Sequence, residues 1–195
     1  MRISQNWDIM VRMTVFVSLL RGVNVGGHGK IKMETLRELH EALGLTNVRT
    51  LLQSGNVVFT SNLKDRDRLA ERIMQEIERR FDLQVAVILR TLTEVKNILD
   101  RGPVLSARAD PSKLLVMFLS AVPDAQAQAA LLKWHKGPEM MELRGPEIYL
   151  HYPNGVGRSK LTNAVLEGKL NTTGTSRNWN TLTKLVEAGK ALETR

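Results

Sequence analysis

The chain contains no cysteine. Disulfides, thiolate metal sites and a cysteine nucleophile are therefore excluded, and a reducing, cytoplasmic location is the expectation. Aromatic residues are scarce, at 5%: four Phe, three Trp and two Tyr. A protein that stacks successive bases of a single strand needs more than this on its surface. Long apolar runs are missing too. The stretch at residues 15–20 falls far short of the roughly 20 residues that span a bilayer and is too short for a signal-peptide core, so no membrane role is expected. No glycine-flanked serine elbow and no carboxylate pair at a glycine or proline loop is present, and His28, His40, His135 and His151 lack metal-ligand spacing. Catalytic residues are thus unassigned, whether the protein is an enzyme stays open, and neither a metal nor a cofactor is expected.

What is present is ample for folding. The 195 residues are 43% hydrophobic, enough for one ordinary domain or two small ones with a real core. The net charge is +8, with a pI near 10.0, which favours anionic partners. Residues 1–105 hold 16 basic and 12 acidic side chains, and residues 106–195 hold 12 and 8. No basic arm emerges, and KDRDRLAERIMQEIERR interleaves both signs like a solvated helix face. The local exception is 154–190, where Arg158, Lys160, Lys169, Arg177, Lys184 and Lys190 face only Glu167 and Glu187.

Periodicity orders the elements. TVFVSLL (14–20) is apolar throughout and predicts a central strand. Helices are expected at 32–43, with Gly44 as its stop, and at 65–81. Strands are expected at 47–52 and 56–60, joined by a turn at Gln53, Ser54 and Gly55, and at 85–89. A short helix at 92–99 opens with Thr91 and Glu94 in capping-box spacing. This βαββαβ order is the split-βαβ, ferredoxin-like pattern. After Gly102-Pro103 it begins again: a strand at 113–120, a helix at 124–136 capped by Asp124, strands at 140–143 and 147–151, then helices near 158–169 and 178–192. The hairpins turning at Gly55 and Gly145 are alike, which leaves a duplication open. The expected class is α+β, with two ferredoxin-like units at 13–105 and 106–195 whose helices pack on one face of each sheet. Residues 1–12 are read as an extension without a functional role.

Four segments can carry chemistry. RGVNVGGHGK (21–30) lies between a buried strand and a helix, where backbone N–H groups and the helix dipole attract anions. It matches neither stricter phosphate motif. Asn24 stands where a Walker A needs its first glycine, Ile31 follows Lys30, and Lys32 occupies the third glycine of a dinucleotide fingerprint. QSGN (53–56) reads as a hairpin tip. In HYPNGVGRSK (151–160), Ser159 is placed to cap a helix whose start holds Arg158 and Lys160, cations that oppose the helix dipole unless an anion joins them. NTTGTSRNWNT (171–181) has no acid, and its hydroxyls, amides and Arg177 suit either an anion or the tying down of a loop. Thr175 and Ser176 are placed to cap the last helix, and Trp179 to anchor it.

Together LLRGVNVGG, QSGNVVF, YPNGVGRSKLTN and GTSRNWNTLTKL resemble the bacterial domain-of-unknown-function family numbered 1697, from about residue 13 to the C-terminus. The resemblance implies two α/β units of ferredoxin-like character, and it transfers no activity and no catalytic residue. The functional expectation is a small anionic ligand, phosphate- or nucleotide-like, held between the glycine-rich loop and the TSRNWNT segment by Arg21, Asn24, Gly26, Gly27, Lys30, Arg158, Lys160, Ser176, Arg177 and Asn178. The alternatives are nucleic-acid binding through the basic C-terminal third, and a structural or oligomerisation module.

Overall fold

A computed structural model describes residues 13–25, 30–102 and 110–193. Residues 1–12, Gly26, Gly27, His28 and Gly29 lie outside the described residues. Eight strands form two four-stranded antiparallel sheets. The first contains β1 (Thr14–Leu20), β2 (Thr46–Leu51), β3 (Asn56–Ser61) and β4 (Val87–Thr91), in the order β2-β3-β1-β4. The second contains β5 (Leu114–Leu119), β6 (Met140–Arg144), β7 (Glu147–His151) and β8 (Gly174–Asn178), in the order β6-β7-β5-β8. The same order of elements and of strands occurs twice, as the βαββαβ reading requires. Helices α1 (Met33–Ala42) and α2 (Arg66–Phe81) cross the first sheet, and α4 (Ala125–Trp134) and α5 (Asn163–Leu170) cross the second. Each unit then adds one helix: α3 (Leu92–Arg101), opened by the Thr91–Glu94 capping box, and α6 (Trp179–Glu193).

The apolar central strands reflect burial on both faces, because successive side chains of a strand point to opposite sides. Phe16 and Leu20 enter a core with Leu36, Leu39, Leu69 and Ile73 of α1 and α2, while Val15, Val17 and Leu19 enter a second core. In β5, Met117 and Leu119 join a third core with α4 and α5, and Val116 and Phe118 join the second. That second core is shared. It takes Leu92, Val95 and Ile98 from α3 and Leu182, Leu185 and Val186 from α6, so each sheet is covered by helices on both sides rather than on one. Gly189 of α6 lies against Leu92, where an added Cβ would sit 2.5 Å from a Leu92 methyl. The helix α6 packs on β1 and β3 as well as on β5 and β8.

The sequence pattern conceals β8. Its residues, GTSRN, are polar because their side chains bond to protein groups inside the fold, and propensity reads such a run as a loop. Thr175 and Ser176 therefore lie in a strand, and α6 is capped by Asn178, whose Oδ1 accepts from the Asn180 N–H at 2.9 Å. Likewise α5 starts at Asn163 behind the Thr162 cap, and Arg158 belongs to a preceding 3₁₀ turn. Arg158 and Lys160 consequently do not sit on a helix N-terminus, and the dipole mismatch expected there does not exist.

Two buried arginines tie the sheets together. Arg177 on β8 lies opposite Val116, and Arg90 on β4 lies opposite Val17, so they occupy the same place in the two units. Each reaches into the other unit. Arg177 donates to Leu20 O (2.7 Å), Ser54 O (3.1 Å), Gly55 O (3.4 Å) and Asn56 Oδ1 (2.5 Å). Its remaining N–H groups go to Thr175 Oγ1 (2.7 Å) and Ser176 O (2.9 Å). Arg90 donates to Leu119 O (2.9 Å), Pro146 O (3.5 Å), Glu147 Oε1 (2.8 Å) and Leu89 O (3.0 Å). Leu20 and Leu119 end the central strands, and Asn56 and Glu147 begin the following hairpin strands opposite Leu19 and Phe118. The two clasps are the same interaction, exchanged. Gly55 is required at its tip: its φ is +67°, and a Cβ there would stand 2.7 Å from the Leu20 Cβ.

Removing Arg177 would leave the buried Leu20 carbonyl and Asn56 Oδ1, and the part-buried carbonyls of Ser54 and Ser176, short of a donor, at about 1–3 kcal/mol for each buried orphaned group. Arg177→Met is expected to lower unfolding free energy by about 3–5 kcal/mol, a fall in Tm on the order of 10 °C for a chain of this size. Urea unfolding followed by circular dichroism checks this; a variant within about 1 kcal/mol of the parent would refute the clasp.

The first core also encloses His40, fully buried, its Nδ1 against Leu36 O at 2.8 Å and its ring tilted on Phe59. Burial pushes this imidazole down to about 4, so the folded chain holds it neutral while the unfolded chain protonates it near pH 6.5. Stability is therefore retained above that pH and is lost as pH falls from 6.5 towards 4. The full loss is about 3 kcal/mol, of which about 2 kcal/mol has gone by pH 5. His40→Leu should flatten the urea midpoint between pH 7 and pH 5, and an unchanged slope would contradict this assignment.

Candidate functional site

The clasp settles where several candidate residues act. All five N–H groups of Arg177 are committed to protein oxygens, and the side chain is 7% exposed with no carboxylate beside it. Burial pushes its guanidinium down to about 10, so it remains a cation at neutral pH. It has nothing left to offer a ligand, and its role is reassigned from anion binding to joining the sheets. Its neighbours are occupied as well. Ser176 Oγ donates to Asn163 Oδ1 at 2.7 Å, and Asn178 Nδ2 donates to Ser112 O at 2.8 Å.

The glycine-rich segment is fastened in the same manner. Asn24, with φ +58°, donates to Ile31 O (2.9 Å) and Gln53 O (2.7 Å) and accepts from the Ile31 N–H (2.9 Å), closing the base of the loop onto the β2–β3 hairpin. Arg21 makes a two-pronged pair with Glu167 of α5, both bonds at 2.7 Å. That partner, together with the Gly174 N–H, holds the Glu167 carboxyl below its usual range against the effect of burial. Lys30 is exposed, and Gly26 and Gly27 lie outside the described residues.

Arg158 and Lys160 are placed differently. They line a cavity of about 610 Å³ formed by the turn after α4 (Trp134 to Glu139) and the connection from β7 to α5. None of Arg21, Asn24, Ser176, Arg177 or Asn178 lines it. The structure thus brings two of the candidate residues to one concave site and leaves Arg21, Asn24, Ser176, Arg177 and Asn178 in the frame. Lys136 joins Arg158 and Lys160 at the wall, and none of the three side chains has an ion pair or hydrogen bond among the described residues.

The comparison of the two units shows how the site arises. From Ser61, at the end of β3, the chain reaches the α2 cap Asp65 in a few residues. From the corresponding place, just past His151, it takes the longer path PNGVGRSKL to the α5 cap Thr162. Repeat symmetry is broken at this connection, and the cavity lies there. The path is pinned at three points: Tyr152 Oη donates to Leu161 O at 2.9 Å, Ser159 Oγ donates to Glu139 Oε1 at 2.5 Å, and Lys113 Nζ donates to Pro153 O at 2.9 Å. Gly155, at φ +83°, opens the 3₁₀ turn that carries Arg158.

The local charges are set by these bonds. The Glu139 carboxyl lies below its usual range, chiefly through the Ser159 hydroxyl, and His135 is 3.9 Å from its other oxygen. The acid is an internal fastening rather than a partner for the cations. Burial pushes the Tyr152 phenol up to about 12, so it stays neutral. Trp134, Lys136 and Tyr152 were not singled out from sequence as ligand groups. The signal available in the sequence was WHKGP (134–138), a tryptophan at the end of the expected helix followed by a lysine and a Gly-Pro break.

Among the described residues no group of three or more His, Asp or Glu could hold a metal ion, and no helix is long and apolar enough to cross a membrane. No curated protein matches the chain. Of the solved structures, the conserved bacterial protein SP0830 from Streptococcus pneumoniae matches with a TM-score of 0.72 at 23% identity, over 91% of this chain and 99% of that one. At that identity the likeness speaks for the fold alone. A family model described as a protein of unknown function (DUF1697) matches residues 13–149, which takes in the glycine-rich loop, the hairpin that receives Arg177 and the turn that carries Trp134. The chain belongs to the DUF1697 family.

Proposed function

We propose that the protein binds a small anionic ligand of the phosphate class in the cavity between the α4–β6 turn and the β7–α5 connection. The observation that carries this reading is that the β7–α5 connection, a long departure from the repeated unit, meets the α4–β6 turn so that Lys136, Arg158 and Lys160 line one concavity, none with a carboxylate partner among the described residues. Several arginines elsewhere in this fold are paired: Arg21 with Glu167, Arg37 with Glu34 and Glu41, Arg66 with Glu94, and Arg90 with Glu147. A partly enclosed wall lowers the local dielectric and strengthens each charge-assisted bond to an anion. The guanidinium of Arg158 supplies a planar fork, and the two ammonium groups supply mobile point charges. Compared with the sequence expectation, the ligand moves from the Arg177 segment to the Arg158–Lys160 segment, while Arg21, Asn24, Ser176, Arg177 and Asn178 hold the frame.

Inorganic pyrophosphate is the simplest probe. At saturation it should raise Tm by several degrees, since a ligand at 100 times its Kd adds about 2.7 kcal/mol. The double variant Arg158→Ala/Lys160→Ala should lose this rise, and Lys184→Ala, an exposed lysine outside the cavity, should keep it. Equal stabilisation of the double variant and the parent would sink the proposal. Affinity for a random-sequence DNA duplex that falls steeply with salt and depends on the same two residues would turn the reading to nucleic acid instead.

A further inference from the structure

We infer that the ligand joins an aromatic ring to its anion, as a mononucleotide does, and that Trp134 is the surface on which the ring stacks. This rests on the anion site proposed above and adds the class of molecule that fills it.

The cavity is too large and too apolar for an inorganic anion alone. Its volume of about 610 Å³ falls in the range of sites for whole organic ligands. Beside the cations its wall carries Trp134, Pro138, Tyr152 and Leu161, surface that a phosphate cannot use and a ring can. Tyr152 and Leu161 are buried and form a fixed floor. Trp134 is 45% exposed at the end of α4. A large aromatic left in solvent beside a concave apolar surface is a mark of a binding site.

The tryptophan is also held ready. Lys169 of α5 places its Nζ 4.8 Å from the centre of the Trp134 ring, a cation–π contact that restrains the side chain at little cost in the folded state. Lys169 does not line the cavity, whereas Trp134 does. The cation occupies one face of the ring, and we take the opposite face as the stacking surface. A ring stacked there would place its substituents towards Arg158 and Lys160 on the facing connection. A single exposed aromatic accommodates one ring, which distinguishes this site from the successive platforms of a single-strand binder. Gly137 and Gly155, both on the wall, carry no side chain that would intrude on a flat group.

Isothermal titration separates the parts of the inference. The probes are adenosine, guanosine, cytidine and uridine monophosphates, with ribose 5-phosphate and pyrophosphate as ring-free anions. At least one mononucleotide should bind ten-fold or more tightly than ribose 5-phosphate. Trp134→Ala should weaken that nucleotide by roughly 5- to 100-fold and leave the ring-free anions unchanged. Trp134→Phe, which keeps a smaller stacking face, should recover much of the loss. Nucleotide should quench tryptophan fluorescence in the parent and not in Trp134→Ala. If ribose 5-phosphate binds as tightly as every nucleotide, or if Trp134→Ala weakens all probes alike, the ring assignment is overturned while the anion site stands. If no probe responds to Arg158→Ala/Lys160→Ala, the anion site itself falls, and this inference with it.

Discussion

The architecture depends on an exchange of arginines. Each sheet sends one guanidinium from its fourth strand into the hairpin root and central-strand end of the other, Arg90 to Leu119, Pro146 and Glu147, and Arg177 to Leu20, Ser54, Gly55 and Asn56. A buried guanidinium is tolerated only when its donors are satisfied, and each finds its acceptors partly in its own unit and partly in the opposite one. Neither unit can therefore reach its folded state without presenting carbonyls to the other's arginine. The shared core around α3 and α6 works in the same direction, because α6 belongs by sequence to the second unit and packs on β1 and β3 of the first.

The two clasps differ in charge, and the difference follows from the hairpins that receive them. At the β6–β7 tip the turn is tight and Glu147 supplies a carboxylate to Arg90, a buried pair with side chains 6% and 14% exposed. At the β2–β3 tip the turn is longer, passing through Leu52 at φ +58° and Gly55 at φ +67°, and it needs its own fastening. Asn56 provides it by donating through Nδ2 to Leu51 O and Ser54 Oγ while its Oδ1 accepts from Arg177. A carboxylate has no hydrogens to give and could not perform both tasks. Arg177 thus carries its charge among neutral oxygens, which is why burial lowers its affinity for a proton.

The fold was largely legible because its strongest signals are local: apolar central strands, amphipathic α1 and α2, the Thr91 and Asp124 caps, and glycine at the hairpin tips. What was hidden is tertiary. The β8 strand reads as a loop because its polar side chains find their partners more than a hundred residues away, at Leu20 and Asn56. The same distance explains Arg177. A lone arginine among hydroxyls and amides has the composition of an anion site and of a buried clasp alike, and only the position of Ser54, Gly55 and Asn56 in space separates the two. The helices at 92–99 and 178–192 were expected, but not their place on the second face of each sheet, since periodicity shows that a strand is buried on both sides without showing by what.

The site follows from the same symmetry, read where it fails. Twice-used elements are fixed by the need to serve both clasps and the shared core, so change is tolerated least in the hairpin roots, in β4 and β8, and at the ends of the central strands. The β7–α5 connection serves neither clasp, and its length is free. It has become longer than the β3–α2 link, and the added chain is not slack: Tyr152, Ser159 and Lys113 each pin it, at Leu161, Glu139 and Pro153. Ordering a surface path with three side-chain bonds costs conformational entropy that a bare connection would avoid. What the ordering yields is a fixed backbone path that carries Arg158 and Lys160 on the wall of the cavity that Trp134 also lines. A chain that needed only to join a strand to a helix would have no reason to hold Arg158 and Lys160 on that wall, and an anionic ligand with a flat apolar part supplies one.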